Sequence, residues 1–192
     1  MKIVLFVTAC ALPLAACNKG PEVHAQNASV EEVANKVQAA SSGEAMVRPG
    51  EWESNTAVEE MSIPGMPAQM QEQMKKAMAS QQTHTFKSCV TEADVKRPKE
   101  NFFAGKNNSC RYDHFNMGGG KIDAVMHCAG HGAGEQMTMN LSGTYAPENY
   151  DIHMVMNNKG GEAGESMTVK AHTVSHRVGE CTSAELAERA KQ

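Results

Sequence analysis

Apolar and polar positions alternate most regularly in the second half of the chain. Met137, Met139, Leu141 and Tyr145 are interleaved with Gln136, Thr138, Asn140 and Ser142, and Tyr150, Ile152, Met154 and Met156 repeat the pattern after Pro147-Glu148-Asn149. A period of two puts each apolar set on one sheet face, so these segments predict two half-buried strands joined by a turn. Trp52, Ser54, Thr56 and Val58, set against Glu51, Glu53 and Asn55, predict an earlier strand. Thr83 to Val90 predicts another, and Met167 to Val178 a last one whose apolar phase switches near Ala171, as a bulge would make it.

Helical spacing is found in two main places. Ser29 and Glu32 form a capping-box pattern ahead of Val30, Val33, Ala34 and Val37, which predicts a short amphipathic helix to about Ala40, stopped by Ser41-Ser42-Gly43. Pro67 opens a second helix with Met70, Met74, Ala77 and Met78 on one face, expected to lie against the sheet. Thr91 to Asp94 reads as a helical turn, and Thr182 with Glu185 caps a short terminal helix. Asn18 to about Ala28 is polar and lacks periodicity, so it reads as a tether. The expected fold is mainly β (α+β): a curved antiparallel sheet or partly closed barrel, with one covering helix, the methionine helix, between its first two strands.

The N-terminus changes the setting of this fold. A charged Met1-Lys2 start precedes the apolar run Ile3 to Ala16. That run is too short for a bilayer span of ~20 residues but suits a signal peptide. It ends in Leu14-Ala15-Ala16-Cys17, which resembles the bacterial lipobox, so Cys17 is the expected lipidation site. The bland alternative is an ordinary secretory leader followed by a chance cysteine. The expected organisation is a signal peptide over 1–16, a lipidated tether with its short helix over 17–47, a single disulfide-bonded β domain over 48–182 and a C-terminal helix over 183–192. Asn18 after the acylated position points to the outer membrane, facing the periplasm of the cell envelope. Membrane contact is expected through the lipid anchor alone.

Of the six cysteines, Cys10 falls in the leader and Cys17 takes the lipid, which leaves Cys89, Cys110, Cys128 and Cys181 in an oxidising compartment. Four cysteines allow three pairings. A hairpin turning about Gly119 would face Cys110 with Cys128, Tyr112 with Met126, His114 with Ala124 and Asn116 with Ile122, and a facing pair is close enough to bridge. Arg111 against His127 and Phe115 against Asp123 would then form the solvated face. By elimination Cys89 joins Cys181. No Cys-x-x-Cys pair supports a redox or metal role instead.

Chemistry is sparse. The net charge of −4 and the dispersed basic residues give no footprint for nucleic acid. No Gly-x-Ser-x-Gly elbow or His-Glu-x-x-His helix is present, so no catalytic residue, enzyme activity or cofactor is expected. Met66, Met70, Met74 and Met78 follow at helical intervals, and soft thioethers select copper(I). Met70, Met74 and Met78 with His84 are therefore metal candidates, against the plainer reading that methionine fills an irregular core or an adaptable groove. His127 with His131, and His172 with His176, are each four apart, roughly 13 Å along a strand, and cannot share a metal while extended. His131 could fold back through Gly130 and Gly132. The expected function is a non-catalytic envelope module that takes an apolar ligand or an envelope protein partner on its sheet face and methionine helix. The alternative is a periplasmic soft-metal binder.

Several of these segments together resemble a known family. Pro49-Gly50-Glu51-Trp52, the Cys89 strand followed by Thr91 to Asp94, the Cys110 and Cys128 pair, Ser142-Gly143-Thr144-Tyr145 and the closing Arg177-Val178-Gly179-Glu180-Cys181 look like the domain of unknown function 3617 family, over about Arg48 to Thr182. The resemblance implies an exported proteobacterial protein, often with a lipobox, and four cysteines at the positions already paired. It carries over no catalytic residue.

Overall fold

Val23 and Ala25 alternate with His24 and Gln26, and this brief pattern is enough to build a strand where a tether was expected. In the computed structural model, which describes residues 22–41, 46–81, 85–96, 109–130, 135–160 and 166–189, that strand is β1 (Val23–Ser29). Helix α1 (Val30–Ala40), β2 (Gly50–Ser62), α2 (Ala68–Gln81), β3 (Phe86–Val90) and α3 (Glu92–Lys96) follow. The meander β4 (Cys110–Gly118), β5 (Lys121–Ala129), β6 (Gln136–Ala146), β7 (Asn149–Lys159) and β8 (Ser166–Gly179) comes next, and α4 (Ser183–Arg189) ends the chain's described part. The eight strands form one antiparallel sheet in the order β1-β4-β5-β6-β7-β8-β2-β3. It is curved and unclosed, with β1 and β3 at its edges.

Register gives the sheet one apolar face. Ala25, Phe115, Ala124, Leu141, Met154, Ala171 and Val58 lie side by side across seven strands, and the next row is Ala28, Tyr112, Met126, Met139, Met156, Val169 and Met61. The β4–β5 hairpin corrects the simple alternation. Cys110 faces Cys128 and Tyr112 faces Met126 as expected, but Asp113 is a bulge, after which His114 pairs with Val125, Phe115 with Ala124 and Met117 with Ile122. The extra residue turns Phe115 and Met117 inward and leaves His114 outside. The turn itself is the two-residue Gly119-Gly120, both at positive φ, as a tight hairpin of this handedness requires.

The hydrophobic core sits under α1. Ser29 Oγ accepts the Glu32 amide and caps the helix, and Val30, Val33 and Val37 pack on Tyr112, Phe115, Met117 and Met126. Val33 and Val37 are 0% exposed, and each valine buried in this way contributes about 1.5–3 kcal/mol. The helix that fills the core is therefore α1. The methionine helix α2 leans on β2, with Met70 left 51% exposed.

Two disulfides staple the sheet. Cys110–Cys128 crosses the hairpin, and Cys89–Cys181 ties β3 to the segment after β8. The phase switch at Ala171 is not a bulge in β8. Thr173 and the fully buried Ser175 continue the inner face as hydroxyls, bonded to Thr56 at 2.9 Å and Ser54 at 2.7 Å. The irregularity lies opposite, in β2, where Glu59 is an extra residue between Val58 and Glu60.

Candidate functional site

An 11-residue helix roofs only part of an eight-stranded sheet. Beyond α1, the inner faces of β6, β7 and β8 carry Met139, Leu141, Met154, Met156 and Val169, all half-buried. Met139 and Leu141 of this set help to line a half-open cavity of about 290 Å³ on the curved sheet. Residues from five consecutive strands line it, among them Phe115, Met126, Leu141, Tyr145 and Ile152, and Met46 and Val47 close it on the side where α1 leads to β2. Gly143 lets β6 and β7 approach closely beside the cavity, since a Cβ there would stand 2.0 Å from the Asp151 carbonyl oxygen of the neighbouring strand.

The lining is apolar with a few hydroxyls. Among the described lining residues there is no carboxylate, imidazole, amine or thiol. Burial pushes the Tyr112 hydroxyl up to about 12, and burial also raises that of Tyr145, against a smaller opposing effect of the Gly120 backbone. Both stay protonated at neutral pH, so the cavity offers hydrogen-bonding tips on an uncharged wall. Tyr150 stacks on Trp52 with ring centroids 5.7 Å apart, which stiffens the end of the cavity nearest β2.

The motif residues singled out in the sequence meet elsewhere, in a structural knot. Trp52 is 2% exposed and donates its indole N–H to the Arg48 carbonyl at 3.0 Å. Arg48 pairs with Glu148 at 2.8 Å, and Arg177 donates through Nε to the Pro49 carbonyl at 2.7 Å. Gly50 has φ +142°, and a Cβ there would lie 2.3 Å from the Gly179 carbonyl. Pro49-Gly50-Glu51-Trp52 and Arg177 to Cys181 thus clamp β2 to β8 beside the Cys89–Cys181 bridge. Thr91 and Asp94 cap α3 reciprocally, and Thr182 and Glu185 do so for α4. The cap amide and hydroxyl of Thr182 hold the Glu185 carboxyl below its usual range. These are fastenings.

The metal candidates are placed as follows. Met70 is exposed and Met74 half-buried on α2, while the Met78 side chain and His84 lie outside the described residues. Cys17 and His131 also lie outside them. On the outer face His127 bonds to Asp113 at 2.8 Å and His114 to Asp123 at 2.7 Å, each imidazole having its own carboxylate. His172 does not join His176, its neighbour along the strand. It stacks across the sheet on His153, a pairing that spacing along one strand could not reveal.

Among the described residues no helix is long and apolar enough to cross a membrane. Neither the curated proteins nor the solved structures contain a match to this chain. The family model described as "Protein of unknown function (DUF3617)" matches residues 47–181, a segment that holds the clamp, both disulfides and nearly all of the cavity lining. Since that match covers well over half of its length, the chain belongs to the DUF3617 family.

Proposed function

We propose that this chain is a non-catalytic module of the bacterial cell envelope, anchored by lipid at Cys17, that holds an apolar ligand of the acyl-chain kind in the cavity on its inner sheet face. One observation carries the reading: Met126, Met139, Leu141 and Ile152 of the inner sheet face line a 290 Å³ cavity with no charged side chain among the described lining residues. An apolar surface of this kind, only partly covered among the described residues, is characteristic of a binding site. The volume is at the lower end of the ~300–1,000 Å³ typical of small-molecule sites. Flexible methionines suit a ligand of variable shape. The described lining residues include no group that titrates near neutrality, which favours binding over catalysis.

The strand β1 bears on the anchor. With Val23 already in the sheet, the span from Cys17 is at most ~20 Å, so a lipidated chain would hold its domain close to the bilayer surface. Growth with a labelled fatty acid tests the anchor: wild-type chain is expected to take up label and Cys17→Ala to take up none. Unchanged labelling of the variant would place the acyl group elsewhere.

The cavity is tested by titrating the exported chain with a fluorescent fatty acid. Saturable binding is expected in the wild type, weakened about tenfold or more by Leu141→Trp, a change of ~1.4 kcal/mol or above. Equal binding by a Leu141→Trp variant with an unaltered melting transition would remove the cavity as the site. A second reading, copper(I) binding through Met70, Met74, Met78 and His84, draws support from the exposure of Met70. It ranks lower because half-buried methionines such as Met66 and Met74 equally suit gap-filling where α2 leans on β2.

A further inference from the structure

The outer face of the sheet is largely polar, and several of its histidines are hydrogen-bonded to acids, amides or hydroxyls rather than to one another. His24 meets Asn116 at 2.9 Å and Glu22 at 3.1 Å, and His114 and His127 have the partners given above. Where β2, β8 and β7 run side by side the pattern changes. His153 on β7 and His172 on β8 are direct cross-strand partners, with their rings stacked 4.1 Å apart and 3° from parallel. Glu59 is the bulged residue of β2, and its carboxylate reaches 3.9 Å from His172 Nδ1. One donor atom from each of Glu59, His153 and His172 lies within 4.8 Å of the other two.

We propose that Glu59, His153 and His172 form a binding site for a divalent first-row transition metal, zinc or copper(II), independent of the cavity on the opposite face. Imidazole nitrogen and carboxylate oxygen are the donors such ions take, in contrast to the thioethers that copper(I) prefers. Bonds of ~2.0–2.2 Å to zinc place neighbouring donors about 3.3 Å apart in a tetrahedral set. Small rotations of two exposed side chains and one half-buried side chain close the difference from 4.8 Å, and the fourth position falls to water. The bulge supplies the third ligand, because an extra residue re-aims a side chain that regular pairing would send along the sheet.

The strongest support is the arrangement around His172. Its Nε2 is bonded to Asp151 Oδ1 at 2.8 Å, which leaves Nδ1 directed at Glu59. A carboxylate on one imidazole nitrogen with the other nitrogen free for an ion is the usual outer support of a metal-binding histidine, and it raises the ligand's basicity. Asp151 also lies 3.7 Å from His153 Nε2, so the same acid borders both rings. Asp151 is thus a positioning residue.

The test is a zinc titration of the exported, oxidised full chain, stripped with a chelator and read by competition with a chromophoric indicator. One saturable equivalent is expected. It should vanish in His153→Ala/His172→Ala, weaken ~10–100-fold in Asp151→Asn, and persist in His127→Ala. Imidazole nitrogen resonances of the wild type give a readout free of variants, with His153 and His172 shifting on zinc addition while His114 and His127 stay in place. Absence of saturable zinc binding, its survival in the double variant, or shifts confined to other histidines would overturn the proposal.

Discussion

Phe115→Ala is expected to lower the free energy of unfolding by about 3–5 kcal/mol, the usual cost of emptying a fully buried aromatic site. Phe115 is 1% exposed, meets Tyr112 edge-on at 5.4 Å and lies between Ala25 and Ala124 on the flanking strands, beneath α1. Its small neighbours cannot fill the space that alanine leaves. A domain of this size has only about 5–15 kcal/mol to lose, so the variant should be close to unfolding at growth temperature. The companion substitution is His114→Ala, at the position that an unbulged hairpin would turn inward. It removes an exposed pair with Asp123 and should cost no more than about 1 kcal/mol. Urea denaturation of the two variants reads the bulge at Asp113 directly. Equal losses would mean that the hairpin keeps the simple register.

Loss of the Cys89–Cys181 bridge is expected to be equally severe. The bridge spans 92 residues of sequence, and in the chain-entropy model closing a loop of that length contributes about 4–5 kcal/mol. The hairpin bridge spans 18, for about 3 kcal/mol, and strand pairing already holds its two cysteines opposite each other. Cys89→Ala/Cys181→Ala should therefore melt well below Cys110→Ala/Cys128→Ala. The reverse order would show that the long bridge closes a contact that the clamp around Trp52 and Arg177 maintains unaided.

The strands that the sequence displays clearly are those with one apolar and one polar face; β6 was legible to within a residue or so for that reason, and β7 runs three residues past the alternation that ends at Met156. The cysteine pairing was legible because the hairpin places Cys110 and Cys128 opposite each other before any bulge intervenes. What stayed hidden depends on partners distant in sequence. β1 has two alternating apolar residues before Asn27 enters the left-handed region at φ 50°, and it becomes a strand through its pairing with β4, some ninety residues later. The choice between α1 and the methionine helix as the cover of the core was equally hidden, since both show an apolar stripe and burial alone separates them. The bulge at Asp113 has no mark in the sequence beyond a phase change between Tyr112 and Phe115. The cavity was foreseeable as a methionine-lined sheet face, though its position beyond α1 was not. The His153–His172 pair required the β7–β8 register, and Glu59 the bulge opposite Ala171. Both come from long-range pairing that one-strand spacing cannot supply.

The most direct test of a ligand-holding role is native mass spectrometry of the full chain, expressed in a bacterial host, purified in mild detergent and released into the gas phase. A second, non-covalent mass of an acyl-bearing species, held by the wild type and absent from Leu141→Trp, is the expected result. A wild-type chain that carries only its own covalent modifications, and remains so after incubation with envelope lipid, would contradict the assignment of the inner face as a binding site.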